Sequence, residues 1–364
     1  MGWEIAQRIT LPDPASLGAD GSQALAIHGN YLICSKWGGT VVAQQQVYIY
    51  VRNNGGEYKL IQTLSGSDYG AVDGNSDFGV GVGVYGNDFI VGQDNTGRAV
   101  SGRVDIFRRN NYGEIKHVQT LRGETADDSF GITVWLSKNY AIVGANSGGG
   151  GTGCVYIYEK NNDGNYNRIQ KIDGPTATPA SSIGGVASRI TDNYALFMDG
   201  NELTTGKVFI YIRNNNGEFQ ENKIIDFGGA TGDAGAGGLG ISGNNLVIGG
   251  EAVETNGACI LYIRKNDGSF EELKRFKDDT NTGLGYKVAI SGNFAASVTA
   301  FDSSGQLVFF KRGNDGEWIR DGDKFTTTLT DLGSFDGLHM DGNYLAVTSP
   351  NSGTGQVLIF HRKY

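Results

Sequence analysis

The stretch Asp128–Ile172, DSFGITVWLSKNYAIVGANSGGGGTGCVYIYEKNNDGNYNRIQKI, decides the fold of this chain. It predicts four strands in succession: Phe130–Leu136, Tyr140–Ala145, Cys154–Glu159 and Tyr166–Ile172. Each run is rich in β-branched or aromatic residues and is bounded by Gly, Asn or Asp, which is typical of antiparallel strands joined by tight turns. One such sheet cannot bury both of its faces, so we expect copies of it on either side.

The rest of the chain supplies these copies at intervals of about 50 residues. An asparagine follows the first strand of every repeat, at Asn30, Asn87, Asn139, Asn193, Asn244, Asn293 and Asn343. Five of these asparagines follow a glycine, and both residue types tolerate the positive φ of a two-residue hairpin. The third strands recur in the same register, from Val47, Val104, Val155, Val208, Ile260, Leu307 and Val357. The count of seven predicts seven blades.

The N-terminus supplies the fourth strand that the last repeat lacks. WEIAQRI, from Trp3, aligns with YKLIQTL and YNRIQKI, and it places Gln7 in register with Gln62, Gln119 and Gln170. A strand over residues 3–11 would therefore complete the seventh blade and close a ring, which removes free sheet edges. The sequence predicts an all-β, seven-bladed β-propeller of four-stranded antiparallel blades, forming one domain over residues 1–364.

Composition and charge exclude several classes of binding partner. The net charge of −9 and the pI near 5.0 argue against nucleic acid and anionic membranes. No apolar run is long enough for a membrane-spanning helix, so we expect no membrane insertion. We find no signal peptide, and therefore expect a cytoplasmic protein or one that is processed or non-classically secreted. The cysteines Cys34, Cys154 and Cys259 fall in three different repeats and predict neither a disulfide framework nor a metal site.

Two repeats carry a recognisable motif. SDFGVGVGVYGNDFIVG, from Ser76, and the repeat that begins at Phe130-Gly131 resemble FG-GAP repeats, with a weaker match at Leu284-Gly285. Such repeats build integrin-α-type seven-bladed propellers and some fungal and bacterial lectins, so the resemblance implies a recognition propeller. Integrin-type repeats carry a calcium loop in the first hairpin, whereas the nearest match here, Asp73–Asp77, precedes the first strand and lacks a later bidentate carboxylate. We therefore expect no cofactor or metal, and structural calcium is not favoured.

No motif indicates catalysis. The histidines lie in different repeats, at His28, His117, His339 and His361, and none has metal-ligand spacing. The glycine loop Gly149–Gly153 connects two strands rather than a strand and a helix, which disfavours phosphate binding. We therefore expect that the chain is not an enzyme.

The irregular loops favour a binding face. Loops from second to third strands and between blades differ in length and content, and function on a rigid scaffold tends to lie on such loops. The candidate ligand-binding residues follow the second strands: Lys36, Trp37, Gln93, Asp94, Asn146, Asp199, Glu251 and Asp302. An aromatic ring beside amides and carboxylates suits a sugar. The sequence thus favours a non-catalytic, lectin-like module that binds glycans.

A protein-binding, adhesion or assembly scaffold resembling the integrin-α propeller is the alternative, since Trp37 has no aromatic counterpart in other blades. Trp135, Arg189 and His339 interrupt the small residues of the first strands. They could form a pocket on the axis, but compensating packing is the interpretation we favour.

Overall fold

A computed structural model provides the structure. It describes residues 2–12, 24–36, 45–71, 76–95, 100–126, 128–175, 183–199, 206–227, 237–250, 253, 256–277, 283–299, 306–326, 332, 337–349 and 355–363. Two short helical segments, Gly66–Tyr69 and Gly148–Gly151, are the helices of this described part. None of its helices is long and apolar enough to cross a membrane.

The strands form seven antiparallel sheets, which we number as blades 1–7, and the strands of each blade are given below in order from first to fourth. Blades 1–3 are Leu25–His28, Tyr31–Lys36, Gln46–Arg52, Tyr58–Ser65; Phe78–Tyr85, Asp88–Gln93, Arg103–Arg109, Ile115–Arg122; and Phe130–Leu136, Tyr140–Ala145, Cys154–Lys160, Tyr166–Asp173. Blades 4 and 5 are Ile183–Ile190, Tyr194–Asp199, Lys207–Arg213, Phe219–Asp226; and Leu239–Ser242, Asn245–Gly250, Ala258–Arg264, Phe270–Lys277. Blade 6 is Leu284–Ser291, Phe294–Thr299, Gln306–Arg312, with Trp318–Arg320 and Phe325–Thr326 sharing the fourth position. Blade 7 is Leu338–Asp341, Tyr344–Ser349, Gln356–Arg362 and the N-terminal Trp3–Thr10.

The predicted seven-bladed β-propeller is confirmed, including its closing strand. Trp3–Thr10 pairs antiparallel with Gln356–Arg362, from Trp3 opposite Arg362 to Thr10 opposite Gln356. In blade 3 the first two strands have the predicted bounds, and the other two extend one residue further. Two compact units hold the blades: one contains blades 1–4, and the other contains blades 5–7 with the N-terminal strand.

The hairpins between first and second strands follow a different turn geometry from the one expected. Gly29, Gly86, Gly243, Gly292 and Gly342 have φ of 57–59°. Among the described residues, the only non-glycines with positive φ are Asp77, Asn95 and Ser129, so the asparagines that follow these glycines do not share it. Positive φ at the first central residue alone is the type II′ arrangement, which explains why glycine precedes asparagine.

The Phe-Gly motif has a packing cause. Gly79, Gly131, Gly184 and Gly285 have φ of 81–100°, and each follows a fully buried Phe, Ile or Leu. These glycines lie against the preceding blade: a Cβ at Gly131 would lie 2.7 Å from the Arg103 carbonyl oxygen, and one at Gly92 would lie 1.9 Å from the Gly131 carbonyl oxygen. Blade 4, which lacks the motif in sequence, uses Ile183-Gly184 in the same way. The motif therefore lets neighbouring blades approach backbone to backbone.

A bulge and a glutamine tie the fourth strands of blades 1–3 to the next blade. The register skips Ile61, Val118 and Ile169, and the residue after each is Gln62, Gln119 or Gln170. Gln119 donates from Nε2 to the Tyr166 carbonyl oxygen and accepts from the Tyr166 N–H, both at 2.8 Å. Gln170 makes the same pair of bonds to Phe219, and Gln62 donates to Ile115. The bulge turns the glutamine toward the neighbouring blade.

Removing one of these links tests their contribution. We expect Gln119→Met to lower the free energy of unfolding by about 2–3 kcal/mol, since it leaves the Tyr166 N–H and carbonyl without partners. Val118→Thr, at the exposed bulge beside Gln119, should change the free energy of unfolding by less than about 0.5 kcal/mol. Urea unfolding of both variants checks this, and equal midpoints would contradict it.

Asp88 joins blades 2 and 3 through a buried carboxylate. Arg108 Nε donates to Oδ1 at 2.5 Å, while Lys160 Nζ and the Tyr166 hydroxyl reach Oδ2 at 2.7 and 2.9 Å. Burial alone would raise the pKa of Asp88, but the hydrogen bonds and charges of Arg108 and Lys160 outweigh it and lower the pKa. The ionised carboxylate is therefore stabilised in the folded chain.

This cluster makes stability depend on acid pH. Because the folded pKa of Asp88 lies below its unfolded value of about 3.9, its contribution is present above that pH and is lost as the pH falls through the folded pKa. We expect Asp88→Asn to lower the free energy of unfolding by about 2 kcal/mol at pH 7, since Arg108 and Lys160 are partly exposed. Below about pH 4 the loss should be smaller. Glu114→Gln, at an exposed pair with Lys116, is the control. Unfolding curves at pH 3 and pH 7 that show the same difference for Asp88→Asn would contradict this.

Candidate functional site

The structure places five of the predicted binding residues in the unit of blades 1–4, at the ends of second strands. Lys36, Gln93, Asp94 and Asp199 are buried, and Asn146 is partly exposed against Gly185 of blade 4. These side chains are therefore packed into the blades rather than spread in solvent. Trp37, Glu251 and Asp302 lie outside the described residues.

Gln93 connects this predicted set to a larger group of polar side chains on blade 2. Its Cα partners are Phe78 on the first strand and Arg103 on the third. Its Nε2 donates to Asn95 Oδ1 at 2.9 Å, and Asn95 Nδ2 donates to the Ser101 carbonyl oxygen at 3.0 Å. Asn95 adopts a φ of 53°, which turns the chain just after the strand. The side chain of Gln93 is thus held at the strand end.

The strand register builds the rest of the group. Arg103 lies opposite Arg122, Asp105 opposite Thr120, and Phe107 opposite His117. Opposite residues in an antiparallel pair share a sheet face, as do residues two apart on one strand. We call Gln93, Arg103, Asp105, His117 and Thr120 the blade 2 polar cluster.

A buried carboxylate organises this cluster. Asp105 is fully buried, and its Oδ1 accepts from Arg103 at 2.6 Å and from Thr120 Oγ1 at 2.7 Å. His117 Nε2 lies 2.8 Å from the same oxygen and 3.1 Å from Thr120 Oγ1. If the ring donates from Nε2, the other ring nitrogen, Nδ1, is left as the basic one. No hydrogen bond to Nδ1 is found among the described residues, and 36% of the side chain is exposed.

Tyr69 covers the cluster from the connection between blades 1 and 2. Its ring centroid lies 6.0 Å from that of His117 and 5.0 Å from that of Phe107. Burial, followed by the charges of Asp68 and Asp105, raises the pKa of Tyr69. Arg122, on the same face as Arg103, is exposed and has no ion-pair partner in the described part of the chain. The arrangement offers a carboxylate-oriented histidine beside cationic and aromatic groups, which suits proton transfer near a polar ligand.

Sequence reasoning missed four members of this cluster: Arg103, Asp105, His117 and Thr120. One signal was present. At the position of Asp105 the other third strands carry apolar residues: Tyr48, Tyr156, Phe209, Leu261, Val308 and Leu358. A single carboxylate in a column of buried apolar residues indicates a specific partner, here His117 and Arg103.

Of the three residues that interrupt the small residues of the first strands, Trp135 and Arg189 are in contact. The Arg189 guanidinium lies 4.1 Å from the ring centroid of Trp135, a cation–π contact between blades 3 and 4. His339 belongs to the other unit and is described with blade 7. The contact of Trp135 with Arg189 agrees with the packing interpretation.

Metal and cysteine chemistry receive no support from the described residues. They contain no group of three His, Cys, Asp or Glu side chains arranged to hold a metal ion. The three cysteines are buried and unpaired, and burial raises the pKa of the Cys154 thiol to about 11. A thiol with a raised pKa is a poor nucleophile at neutral pH.

Comparison with known proteins supports the fold and bears on activity. No protein-family model and no curated protein matches the chain. A Bacteroides fragilis structure described as a candidate 6-phosphogluconolactonase has 15% identity and a TM-score of 0.58, over 95% of this chain and 92% of its own. A periplasmic gluconolactonase from Pseudomonas aeruginosa has 15% identity and a TM-score of 0.56, over 85% and 86%. A Lactobacillus plantarum protein with no stated activity has 14% identity and a TM-score of 0.54, over 90% and 94%.

These comparisons contradict the expected function. The predictions of a non-catalytic, lectin-like module and of an adhesion or assembly scaffold are wrong, and so is the expectation that the chain is not an enzyme. The finding that overturns them is that two of these similar structures are described as a candidate 6-phosphogluconolactonase and a gluconolactonase. The physical reason for the error is that a propeller can bring polar side chains together from separate strands. Asp105 and His117 meet across two strands, which no contiguous motif can reveal.

Proposed function

We propose that this chain hydrolyses a lactone, with His117 as general base and Asp105 as the residue that orients it. The observation that carries this proposal is the 2.8 Å contact between His117 Nε2 and the buried Asp105 Oδ1. The fold shared with proteins described as gluconolactonases indicates a sugar-acid lactone as the substrate class to test first.

In the proposed reaction, His117 Nδ1 takes a proton from a water molecule, and the resulting hydroxide attacks the lactone carbonyl carbon. Negative charge develops on the carbonyl oxygen, and we assign Arg122, the exposed cation on this face, to oppose it. Collapse of the tetrahedral intermediate breaks the ring C–O bond, and the leaving oxygen takes the proton from His117. The product is a hydroxy acid, which ionises to a carboxylate, and no other reactant is consumed.

The residues at the second-strand ends have a part in this proposal as binding groups. Lys36, Asp94, Asn146 and Asp199 offer ammonium, carboxylate and amide groups at one end of blades 1–4. Such groups suit the hydroxyls of a sugar lactone.

The repeat type is part of the same proposal. The positive-φ glycines that follow Phe78, Phe130 and Leu284 support FG-GAP-like repeats, without any adhesive role.

The experiment is a pH-stat assay of acid release from glucono-δ-lactone, corrected for spontaneous opening. We expect saturable catalysis by the purified chain. Release no faster than buffer, with this lactone and with its 6-phosphate, would overturn the proposed function.

Asp94 separates binding from chemistry in the same assay. We expect Asp94→Asn to raise KM about 10-fold with kcat changed less than about twofold, because a binding group contributes equally to ground and transition states. Glu114→Gln, at the opposite end of blade 2, is the matched control and should leave both constants unchanged. An equal fall in kcat for Asp94→Asn would contradict the binding role.

A further inference from the structure

Three buried polar atoms of the blade 2 polar cluster have no hydrogen-bond partner among the described residues: Gln93 Oε1, Arg103 Nε and Asp105 Oδ2. They belong to neighbouring positions on one sheet face, since Gln93 lies opposite Arg103 and Arg103 is two residues from Asp105. Buried polar groups are rarely left without a partner, because each costs about 1–3 kcal/mol when unsatisfied.

The three atoms are chemically complementary to one guest. Arg103 Nε carries a hydrogen and can only donate, whereas Gln93 Oε1 and Asp105 Oδ2 can only accept. The Arg103 guanidinium would repel a cation at this position, and the two acceptor oxygens would repel an anion. A water molecule accepts once and donates twice, and buried waters typically make about three such bonds.

The two oxygens of the Asp105 carboxylate differ in their hydrogen bonds. Oδ1 lies within hydrogen-bond distance of Arg103, Thr120 and His117, whereas Oδ2 accepts no hydrogen bond from a described residue. Among the described residues, no hydrogen bond to Oδ2 therefore restrains the plane of the carboxylate that aligns the imidazole. A guest at Oδ2 would supply the missing restraint, and Gln93 would hold that guest from the adjoining strand.

We infer that Gln93, Arg103 and Asp105 bind one buried water, through which Gln93 acts as a positioning residue for the Asp105–His117 pair. The kinetic part of this inference rests on the proposed function, and the structural part does not.

The test compares Gln93→Met with Gln62→Met, a matched loss of one glutamine on a neighbouring blade. Outer partners that orient metal-ligating histidines typically contribute about 10- to 100-fold, and we expect the lower value for a partner that acts through Asp105. We expect Gln93→Met to lower kcat about 10-fold with KM within about twofold, and Gln62→Met to leave both constants unchanged.

Two readouts need no activity. A crystal structure of the unaltered chain should contain one water within hydrogen-bond distance of all three atoms. The proton NMR signal of the His117 ring N–H shared with Asp105 should move or broaden in Gln93→Met and stay in place in Gln62→Met.

The outcomes separate the two proposals. If no lactone is opened, the proposed function fails, while the water and the ring signal still decide this inference. The inference is overturned if the crystal shows no such water or if Gln93→Met leaves the ring signal unchanged. Should Gln93→Met fail to fold, the crystal structure of the unaltered chain decides alone.

Discussion

Gly131→Ala is expected to destabilise the chain by about 3–5 kcal/mol. Its φ of 100° lies where residues with a side chain are strained, and its Cβ would meet the Arg103 carbonyl oxygen at 2.7 Å. Backbone strain contributes about 1–3 kcal/mol and overpacking a similar amount. The backbone of blade 2 cannot move aside, because Arg103 is held in the sheet between Gln93 and Arg122.

Gly86→Ala is the control for this substitution. Its φ of 58° is also positive, but a Cβ there would meet nothing within 4 Å. We expect the free energy of unfolding to fall by about 1 kcal/mol, the cost of the positive φ alone. Chemical unfolding of the two variants measures the difference, and equal losses would show that the close approach of blades at Gly131 has no energetic weight.

Asp105→Asn is expected to lower kcat for lactone opening by about 10²- to 10⁴-fold. The amide is nearly isosteric, but it no longer carries the charge that holds His117 with Nδ1 as the basic nitrogen. The same change leaves the Arg103 guanidinium without its carboxylate, so stability must be measured alongside activity.

Thr120→Val provides the matched control for Asp105→Asn. It removes one hydrogen bond to Oδ1 and keeps the carboxylate and the imidazole. We expect a loss of activity of less than about 10-fold. A folded Asp105→Asn variant with the activity of Thr120→Val would show that the Asp105 charge has no role in the reaction.

The fold could be predicted from the sequence because its determinants are local and repeated. The alternating apolar residues of Phe130–Leu136, the Gly-Asn hairpins and the aligned N-terminal strand each follow from strand periodicity and turn chemistry. The recurring glutamines were visible as a pattern. Their link to the next blade was not, because the bulge at Val118 that turns Gln119 depends on pairing across strands.

The candidate site was predictable only in part. The predicted set of second-strand ends contains Gln93, one member of the blade 2 polar cluster, and it misses His117, which lies on a fourth strand. Catalytic motifs are recognised by spacing along the chain, whereas Asp105 and His117 are brought together by the antiparallel register and the bulge between Ile106 and Phe107. The prediction of a recognition scaffold rested on the FG-GAP resemblance and on the polar residues at the second-strand ends, and neither a fold nor a polar loop face determines activity.

We propose above that His117 performs the proton transfer of lactone opening. The most direct test is the initial rate of acid release from glucono-δ-lactone by His117→Gln and by the unaltered chain, at equal concentration and with folding checked by circular dichroism. We expect catalysis by the unaltered chain and a rate at least about 10²-fold lower for His117→Gln. A folded His117→Gln variant that opens the lactone at the unaltered rate would contradict it.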